Sequence, residues 1–198
     1  MPFGRKKAGD EEIQVGKSSP AWMLTYSDLV TQLLIFFVMM FALAAAMNEL
    51  QLVQLKKKLE AYVREHHLED VVGLEINEKG LVVSLREKGM FDSGRAEIYD
   101  DAKKILQKIT KEVKDEPNDI RIEGHTDNVP IHTKQFPSNW ELSTTRATNV
   151  LRYLIEVLSF PPKRIAAGGY GEHHPVVPND TPEHRALNRR VDVVIRRI

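Results

Sequence analysis

The sequence predicts an α/β two-layer sandwich preceded by a single transmembrane helix and a short amphipathic helix. Three observations carry that reading. An uncharged apolar run lies near the N-terminus, a helical stripe of leucines follows it, and the remainder switches between period-2 and period-3.6 patterning in the order β-α-β-α-β-β. The resulting division is 1–20 as a cytoplasmic tail, 21–47 as the membrane helix, 48–77 as a linker helix and 78–198 as the sandwich domain.

Composition narrows the classes. The 198 residues carry 28 basic and 28 acidic side chains, a balance that excludes a generally basic nucleic-acid binder and an acidic disordered tail. A chain that is 42% hydrophobic and 7% aromatic is not low-complexity. With no cysteine there is no disulfide, no thiolate metal site and no cysteine nucleophile.

From Leu29 to Met47 only Thr31 and Gln32 are polar. Counted from Ala21 the segment measures about 40 Å as a helix, more than the ~30 Å hydrocarbon core. Trp22 and Tyr26 stand at its start, where amphipathic rings favour the interface. A cleavable signal peptide is the alternative, since Ala42-Leu43-Ala44 looks like a cleavage site. The apolar core is too long for one, and it begins too far into the chain. Orientation gains little from charge: Arg5, Lys6, Lys7 and Lys17 precede the span, and Lys56, Lys57 and Lys58 follow it. The large domain behind the span places the N-terminus in the cytoplasm and the domain outside.

Asp28 demands an explanation, because a carboxylate at membrane depth costs about 2.5–3.5 kcal/mol at helix centre and less near an end. Thr25, Thr31, Gln32 and Ile35 share its side, while Val30, Leu33, Leu34, Phe37 and Phe41 form the opposite, lipid-compatible one. Such a stripe implies burial against another protein or a wet cavity, where a carboxylate can load and release a proton. The plainer alternative is an interfacial aspartate that complements the helix dipole.

Leu52, Leu55, Leu59, Tyr62 and Val63 recur at helical spacing among Lys56–Lys58 and Glu60, an amphipathic helix that suits dimerisation next to the membrane. Gly80 to Glu87 then alternates as a strand, with Leu81, Val83 and Leu85 inward. Asp100 to Val113 reads as a helix on Ala102, Ile105, Leu106, Ile109 and Val113. Ile120 and Ile122 mark a second strand, and Asn139 to Leu158 a longer helix. Ile165 to Tyr170 and Val191 to Arg196 complete the strands.

Two polar clusters sit between these elements: Glu123-Gly124-His125-Thr126-Asp127-Asn128 after the second strand, and Asn139-Trp140-Glu141-Leu142-Ser143-x-x-Arg146-Ala147 opening the long helix. A carboxylate beside a guanidinium fork can receive a zwitterion, the one taking an ammonium and the other a carboxylate. The alternative is that Asp127 and Arg146 pair only with each other, or that Asp127 caps a turn. His125, Asp127 and His132, or His173-His174, lack fixed ligand spacing, so no metal is expected. Ser143 has no evident base, and Gly168-Gly169-Tyr170-Gly171 lacks the strand-to-helix context of a phosphate loop. An enzyme is not expected.

The run Pro20-Ala21-Trp22-Met23-Leu24-Thr25-Tyr26-Ser27-Asp28-Leu29-Val30-Thr31, continued by Leu33-Leu34-Ile35-Phe36-Phe37, closely resembles the span of flagellar stator B subunits of the MotB type. The resemblance implies that Asp28 carries the ion, with Thr31 as a possible helper, and that Gln32 stands where an apolar residue is usual. It also implies that the following helix is a plug whose buried face is Leu52, Leu55 and Leu59. Members often have longer linkers. Here 48–77 reaches at most about 100 Å extended but about 45 Å as a helix, so anchoring to a distant wall is expected to melt it.

E-G-H-T-D-N, N-W-E-L-S-x-x-R-A and N-R-R-V-D (Asn188 to Asp192) together look like the OmpA-like peptidoglycan-binding domain, over roughly Leu74 to Ile198. That implies Asp127 and Arg146 as the grips on stem-peptide diaminopimelate, with Asn139, Leu142, Ser143 and Arg190 in lesser roles. The expected function is a stator subunit coupling ion flow to torque. Its expected partners are a multi-span MotA-type subunit, a second copy of itself, peptidoglycan, and the rotor through the A subunit. No cofactor is expected, only a translocated proton, with sodium as the alternative. Two other readings stay open: a passive membrane-to-wall tether, and an ion-driven stator of a non-flagellar machine.

Overall fold

The computed structural model describes residues 20–197, so the basic tail residues Arg5, Lys6, Lys7 and Lys17 lie outside it. From Ala21 to Glu65 there is neither glycine nor proline, and helix α1 (Ala21–Glu65) runs through all of it. Its end is a Schellman motif. His67 adopts a left-handed φ of 52°, Leu68 N–H reaches the Val63 carbonyl at 2.9 Å, and His67 N–H reaches that of Arg64 at 3.3 Å.

The chain divides into two compact units, one ending at Ala44 and the other starting at Ala45. In the first, every described side chain is exposed in the single chain, and α1 is the one described helix long and apolar enough to cross a membrane.

The second unit is built on a five-stranded sheet in the order β1-β2-β5-β3-β4. Its strands are β1 (Val72–Asn77), β2 (Gly80–Arg86), β3 (Ile120–His125), β4 (Ile165–Gly169) and β5 (Arg190–Arg196). All neighbours are antiparallel except β3 and β4. Helices α2 (Glu87–Met90), α3 (Asp100–Val113), α4 (Asn139–Arg152) and α5 (Pro182–Asn188) connect them. Leu81, Val83 and Leu85 of β2, Ile120 and Ile122 of β3, and Val191, Val193 and Ile195 of β5 form one core with α3 and α4. This is the two-layer α/β sandwich that the alternation predicts.

The structure adds elements to the sequence-based reading. β1 forms a hairpin with β2, paired from Val72–Leu85 to Asn77–Gly80, in a stretch read as linker. Its turn is closed by Asn77, whose Oδ1 accepts the Lys79 N–H at 2.9 Å, and Gly80 takes a φ of +129°. The second half of α1 also belongs to this unit. Leu52, Leu55, Leu59 and Val63 are buried in the same core as the sheet, and Leu59 and Val63 line one small cavity with Val83, Ile105 and Ile109. The long helix departs from α-geometry after Arg152, continuing as a π-turn from Tyr153 to Val157.

The N-terminus of α4 lies tightly on the sheet. A Cβ at Gly124 would stand 2.1 Å from the Ser143 carbonyl oxygen, and one at Gly169 2.3 Å from Thr144 Oγ1. These two glycines let the second turn of α4 approach β3 and β4, and the Ser138 cap with its hydroxyl on Glu141 fixes where the helix begins.

Leu59→Ala should cost about 2–5 kcal/mol in denaturant unfolding of the full chain in detergent, whereas Leu50→Ala, on the exposed side of the same helix, should cost less than about 0.5 kcal/mol. Equal, small losses would mean that α1 does not pack in solution as described.

Candidate functional site

At the end of β3 the chain leaves the sheet through Thr126 and Asp127. Thr126 N–H bonds the Gly171 carbonyl at 2.9 Å, pinning the two loops together. Opposite stand the first turns of α4, the short α2, and Arg189, which sits between α5 and β5. Between them is a cavity of about 370 Å³ lined by Glu87, Thr126, Asp127, Asn139, Leu142, Arg146 and Arg189, with Pro130 and Ile131 at one side.

Asp127 and Arg146 both line this cavity, yet neither pairs with the other. Asp127 Oδ2 accepts from Arg189 Nη1 at 2.6 Å, and its Oδ1 accepts the Val129 N–H at 3.2 Å. Arg189 Nε bonds Glu87 Oε2, and Glu87 Oε1 accepts from Arg146 Nη2 at 2.5 Å. The four groups thus alternate in sign: Asp127, Arg189, Glu87, Arg146. Arg146 is 1% exposed, donating also to the carbonyls of Arg95 (2.8 Å) and Asp92 (3.2 Å), with its guanidinium 4.9 Å from the Phe91 ring centre. These bonds use the Nε and Nη2 of the guanidinium, and the residue lines the cavity. An ammonium would meet Asp127 by competing with Arg189.

The other residues singled out by sequence divide. Asn139 donates its amide to the carbonyls of Asp127 (3.3 Å) and Val129 (3.0 Å) and to Glu172 Oε2 (3.0 Å), holding the loop around the cavity. Leu142 forms part of the wall. Ser143 is fully buried, its hydroxyl bonded to the Trp140 carbonyl and the Gly171 N–H, and it braces the site from behind. Arg190 is elsewhere. It lies within β5, bonds Asp192 Oδ2 at 2.9 Å, and lines a different cavity. Residues alternate across a strand, so the Arg-Arg pair splits between two faces and Arg189, not Arg190, reaches Asp127. Arg189 and Glu87 escape sequence reading because their role is set by contacts 62 and 59 residues away.

The face that Arg190 joins holds a second buried polar cluster. His125 stacks on Tyr170 at 5.3 Å and lies 3.5 Å from Asp192, and neither ring nitrogen of His125 has a hydrogen-bond partner. Burial, reinforced by the positive charge of Arg190 and by His174 and Lys79, pushes the His125 pKa down to about 3. Burial likewise raises the Asp192 carboxyl, against the pull of Arg190. Among the described residues no group of three or more His, Asp or Glu converges as a metal site would require.

In the first unit Asp28 is exposed in the single chain, with Thr25 and Thr31 on its side of α1. The Thr31 hydroxyl donates to the Ser27 carbonyl at 2.8 Å, which fixes Oγ1 and leaves its lone pairs free to accept a cation.

The chain thus combines an α/β sandwich, with a pocket lined by charges of alternating sign, and an apolar helix that is long enough to cross a membrane and carries one aspartate. Residues 90–189 match the OmpA family and residues 5–62 match the family described as membrane MotB of the proton-channel complex MotA/MotB. The uncharacterized protein YtxE of Bacillus subtilis is 34% identical, over 98% of this chain and 95% of its own length. Motility protein B of the same organism is 37% identical over 76% of this chain, which spans 58% of that relative. Among solved structures, a putative MotB-like protein from Desulfovibrio vulgaris superposes with a TM-score of 0.68 at 31% identity, covering 76% of this chain and 96% of that one. The cell wall anchor of the T6SS from Pseudomonas aeruginosa gives 0.63 at 30% identity, over 71% and 97%. The chain belongs to the MotB type of membrane protein with an OmpA-family domain.

Glu87→Ala should destabilise the domain by about 3–5 kcal/mol, because it strands the buried Arg146 charge; denaturant unfolding measures it. His125 gives a pH signature. Between pH 6.5 and about 3 the unfolded chain binds a proton that the folded chain refuses, so stability falls as pH is lowered, by up to ~1.4 kcal/mol per unit. Asp192 contributes with opposite sign, since its raised pKa keeps a proton on the folded state. His125→Gln should therefore flatten the decline between pH 6.5 and 4.5, and an unchanged slope would exclude a buried neutral His125.

Proposed function

We propose that the chain is the ion-carrying, wall-anchored B subunit of a MotA/MotB-type stator in the bacterial cytoplasmic membrane, turning ion flow into torque on a flagellar rotor. One juxtaposition carries the reading: the same chain has Asp28, on a polar stripe that nothing in its own unit covers, and a domain whose pocket offers both signs of charge. The match of residues 5–62 to the MotB family supports the first half, and that of 90–189 to the OmpA family the second.

Asp28 would take an ion from outside and release it inside, with the N-terminus in the cytoplasm and the domain beyond the membrane. One helix cannot enclose a path, so a multi-span A subunit supplies the walls, and a second copy of this chain completes the pair. Charging and discharging Asp28 shifts the conformation of the A subunit, which meets the rotor. The translocated ion is a proton, for which the carboxylate suffices. Sodium is the alternative, with Thr31 Oγ1 as an added oxygen one turn away.

Torque needs a fixed point. In the pocket, Asp127 receives the ammonium and Arg146 the carboxylate of diaminopimelate in the peptidoglycan stem, while Asn139 and Leu142 shape the loop and wall around it. Leu52, Leu55 and Leu59 would act as the plug before engagement. Their apolar face is covered by the domain core, so plugging the channel and packing the domain are exclusive uses of one surface.

In cells that co-express the chain with its multi-span partner, Asp28→Asn should abolish ion uptake and rotation while the purified variant still sediments with sacculi. Asp127→Asn should do the reverse to the wall, weakening sedimentation about tenfold or more. Separate proton and sodium gradients identify the ion. Wild-type wall binding without uptake in either gradient would replace the stator by a passive tether.

A further inference from the structure

We propose that Arg189 is a two-position counter-ion. It holds Asp127 in the free domain, and when a ligand ammonium takes Asp127 it turns into the neighbouring cavity and pairs with Glu183. The inference rests on the wall-binding reading and deepens it, by naming the charge that the ammonium displaces and the group that receives it.

The two arginines of the pocket are held differently. Arg146 has two backbone carbonyls besides Glu87, and its side chain is 2% exposed. The Arg189 guanidinium bonds carboxylates alone, Glu87 through Nε and Asp127 through Nη1, and its side chain is 34% exposed. Its backbone is tied down. The Arg189 N–H reaches the Arg185 carbonyl at 3.0 Å, and the Arg189 carbonyl accepts the Glu87 N–H at 2.8 Å. A move of this residue is therefore a change of side-chain rotamer on a fixed base. A half-exposed guanidinium held only by other side chains is the charge that an incoming ammonium can displace.

Arg189 is also a partition. Beyond it lies a second cavity of about 630 Å³, between α2 and α5, and Arg189, Glu87 and Ser93 line both this cavity and the charged pocket. Arg86, Lys88 and Glu183 bring further charges to it. Arg86 gives Nη1 to the Asp70 carbonyl at 3.1 Å, while Lys88 and Glu183 have no hydrogen bond or ion pair among the described residues. A guanidinium that enters this cavity meets two cations of its own sign, so it needs a carboxylate there. Glu183 is the one without a partner.

The exchange keeps every charge of the pocket paired. In the free domain Asp127 has Arg189, and Glu183 faces water. With ligand bound, Asp127 has the ammonium and Arg189 has Glu183. Glu87 lines both cavities, so its bond to Arg189 Nε serves as the pivot while Nη1 changes partner. Without a receiver, the ammonium would leave the guanidinium one partner short beside Arg86 and Lys88, and that repulsion would be subtracted from the binding free energy.

Calorimetry on the full chain in detergent tests this, with the diaminopimelate-containing stem tripeptide as the probe. Glu183→Gln should weaken binding about fivefold, the upper range for one partly exposed ion pair, and Glu183→Asp should keep most of the affinity. The unliganded Glu183→Gln chain should unfold at the wild-type denaturant concentration, because Glu183 has no partner before binding. In an Arg189→Gln background, Glu183→Gln should have no further effect, which a direct contact between Glu183 and the ligand would not give. Nuclear magnetic resonance of the full chain carrying isotope-labelled arginine needs no substitution at Arg189. The tripeptide should move the Arg189 Nε–H signal of the wild type, and the liganded Glu183→Gln chain should give a different position. Wild-type affinity in Glu183→Gln, as when a ligand carboxylate alone receives Arg189, would overturn the exchange and leave the wall-binding reading intact. An equal loss in both backgrounds, or an Arg189 signal that the tripeptide leaves unmoved, would do the same. Failure of the wild type to bind the tripeptide would overturn both.

Discussion

Arg146 is a guanidinium with almost no surface in water, and keeping a charge there dictates the construction of the pocket. An isolated buried ion costs several kcal/mol, so the fold surrounds this one with Glu87, two backbone carbonyls and the face of Phe91. Glu87 then needs its second oxygen satisfied, which brings in Arg189, and Arg189 carries the chain of charges on to Asp127. The short helix α2 is retained although four residues cannot sustain a helix by themselves; it exists to deliver Glu87. The glycines at 124 and 169 belong to the same constraint, because Arg146 reaches Glu87 only if α4 lies this close to the sheet. Each charge of the pocket is thus held against an internal counter-charge, which on the proposed function favours a zwitterion over either simple ion. A cation alone would displace Arg189 without compensating it, whereas a zwitterion would offer one group to Asp127 and the other to Arg146 or to the released Arg189.

The architecture was legible wherever one face of an element is buried and the other wet. The stripe of Ala102, Ile105, Leu106, Ile109 and Val113 on α3, and the alternation of Leu81, Val83 and Leu85 on β2, are all members of the core in the structure, which on α3 also buries Thr110 and on β2 Val82. β1 was not legible. Its residues do alternate, Val72, Leu74 and Ile76 against Gly73, Glu75 and Asn77, but the run is only six residues long with a glycine in it and lies in the stretch read as linker; the ladder with β2 is what identifies it. The helical spacing of Leu52, Leu55 and Leu59 was equally plain, but spacing says that a face is buried without saying against what. In the site, Asp127 and Arg146 could be named because their neighbours form compact motifs, whereas Glu87 and Arg189 are joined only by the fold. The Arg189-Arg190 pair turns on strand parity, where a register fixed by Glu123–Asp192 pairing decides which arginine faces the pocket.

The cover on Leu52, Leu55, Leu59 and Val63 bears on how such a protein could reach a distant wall. Residues 48–77 counted as tether span up to about 100 Å only when fully extended. Extending them exposes four side chains whose burial contributes about 1.5–3 kcal/mol each, in sum comparable to the ~5–15 kcal/mol stability of an entire domain. Simple melting into water would therefore leave the domain near its own unfolding, at the moment when the pocket has to bear load. The apolar face is released at acceptable cost only if another apolar surface receives it, whether the bilayer, the A subunit or the same helix of a second copy. On the proposed function, extension of the linker is then an exchange of partners for one leucine stripe, and the surface that accepts the stripe sets how easily the stator engages.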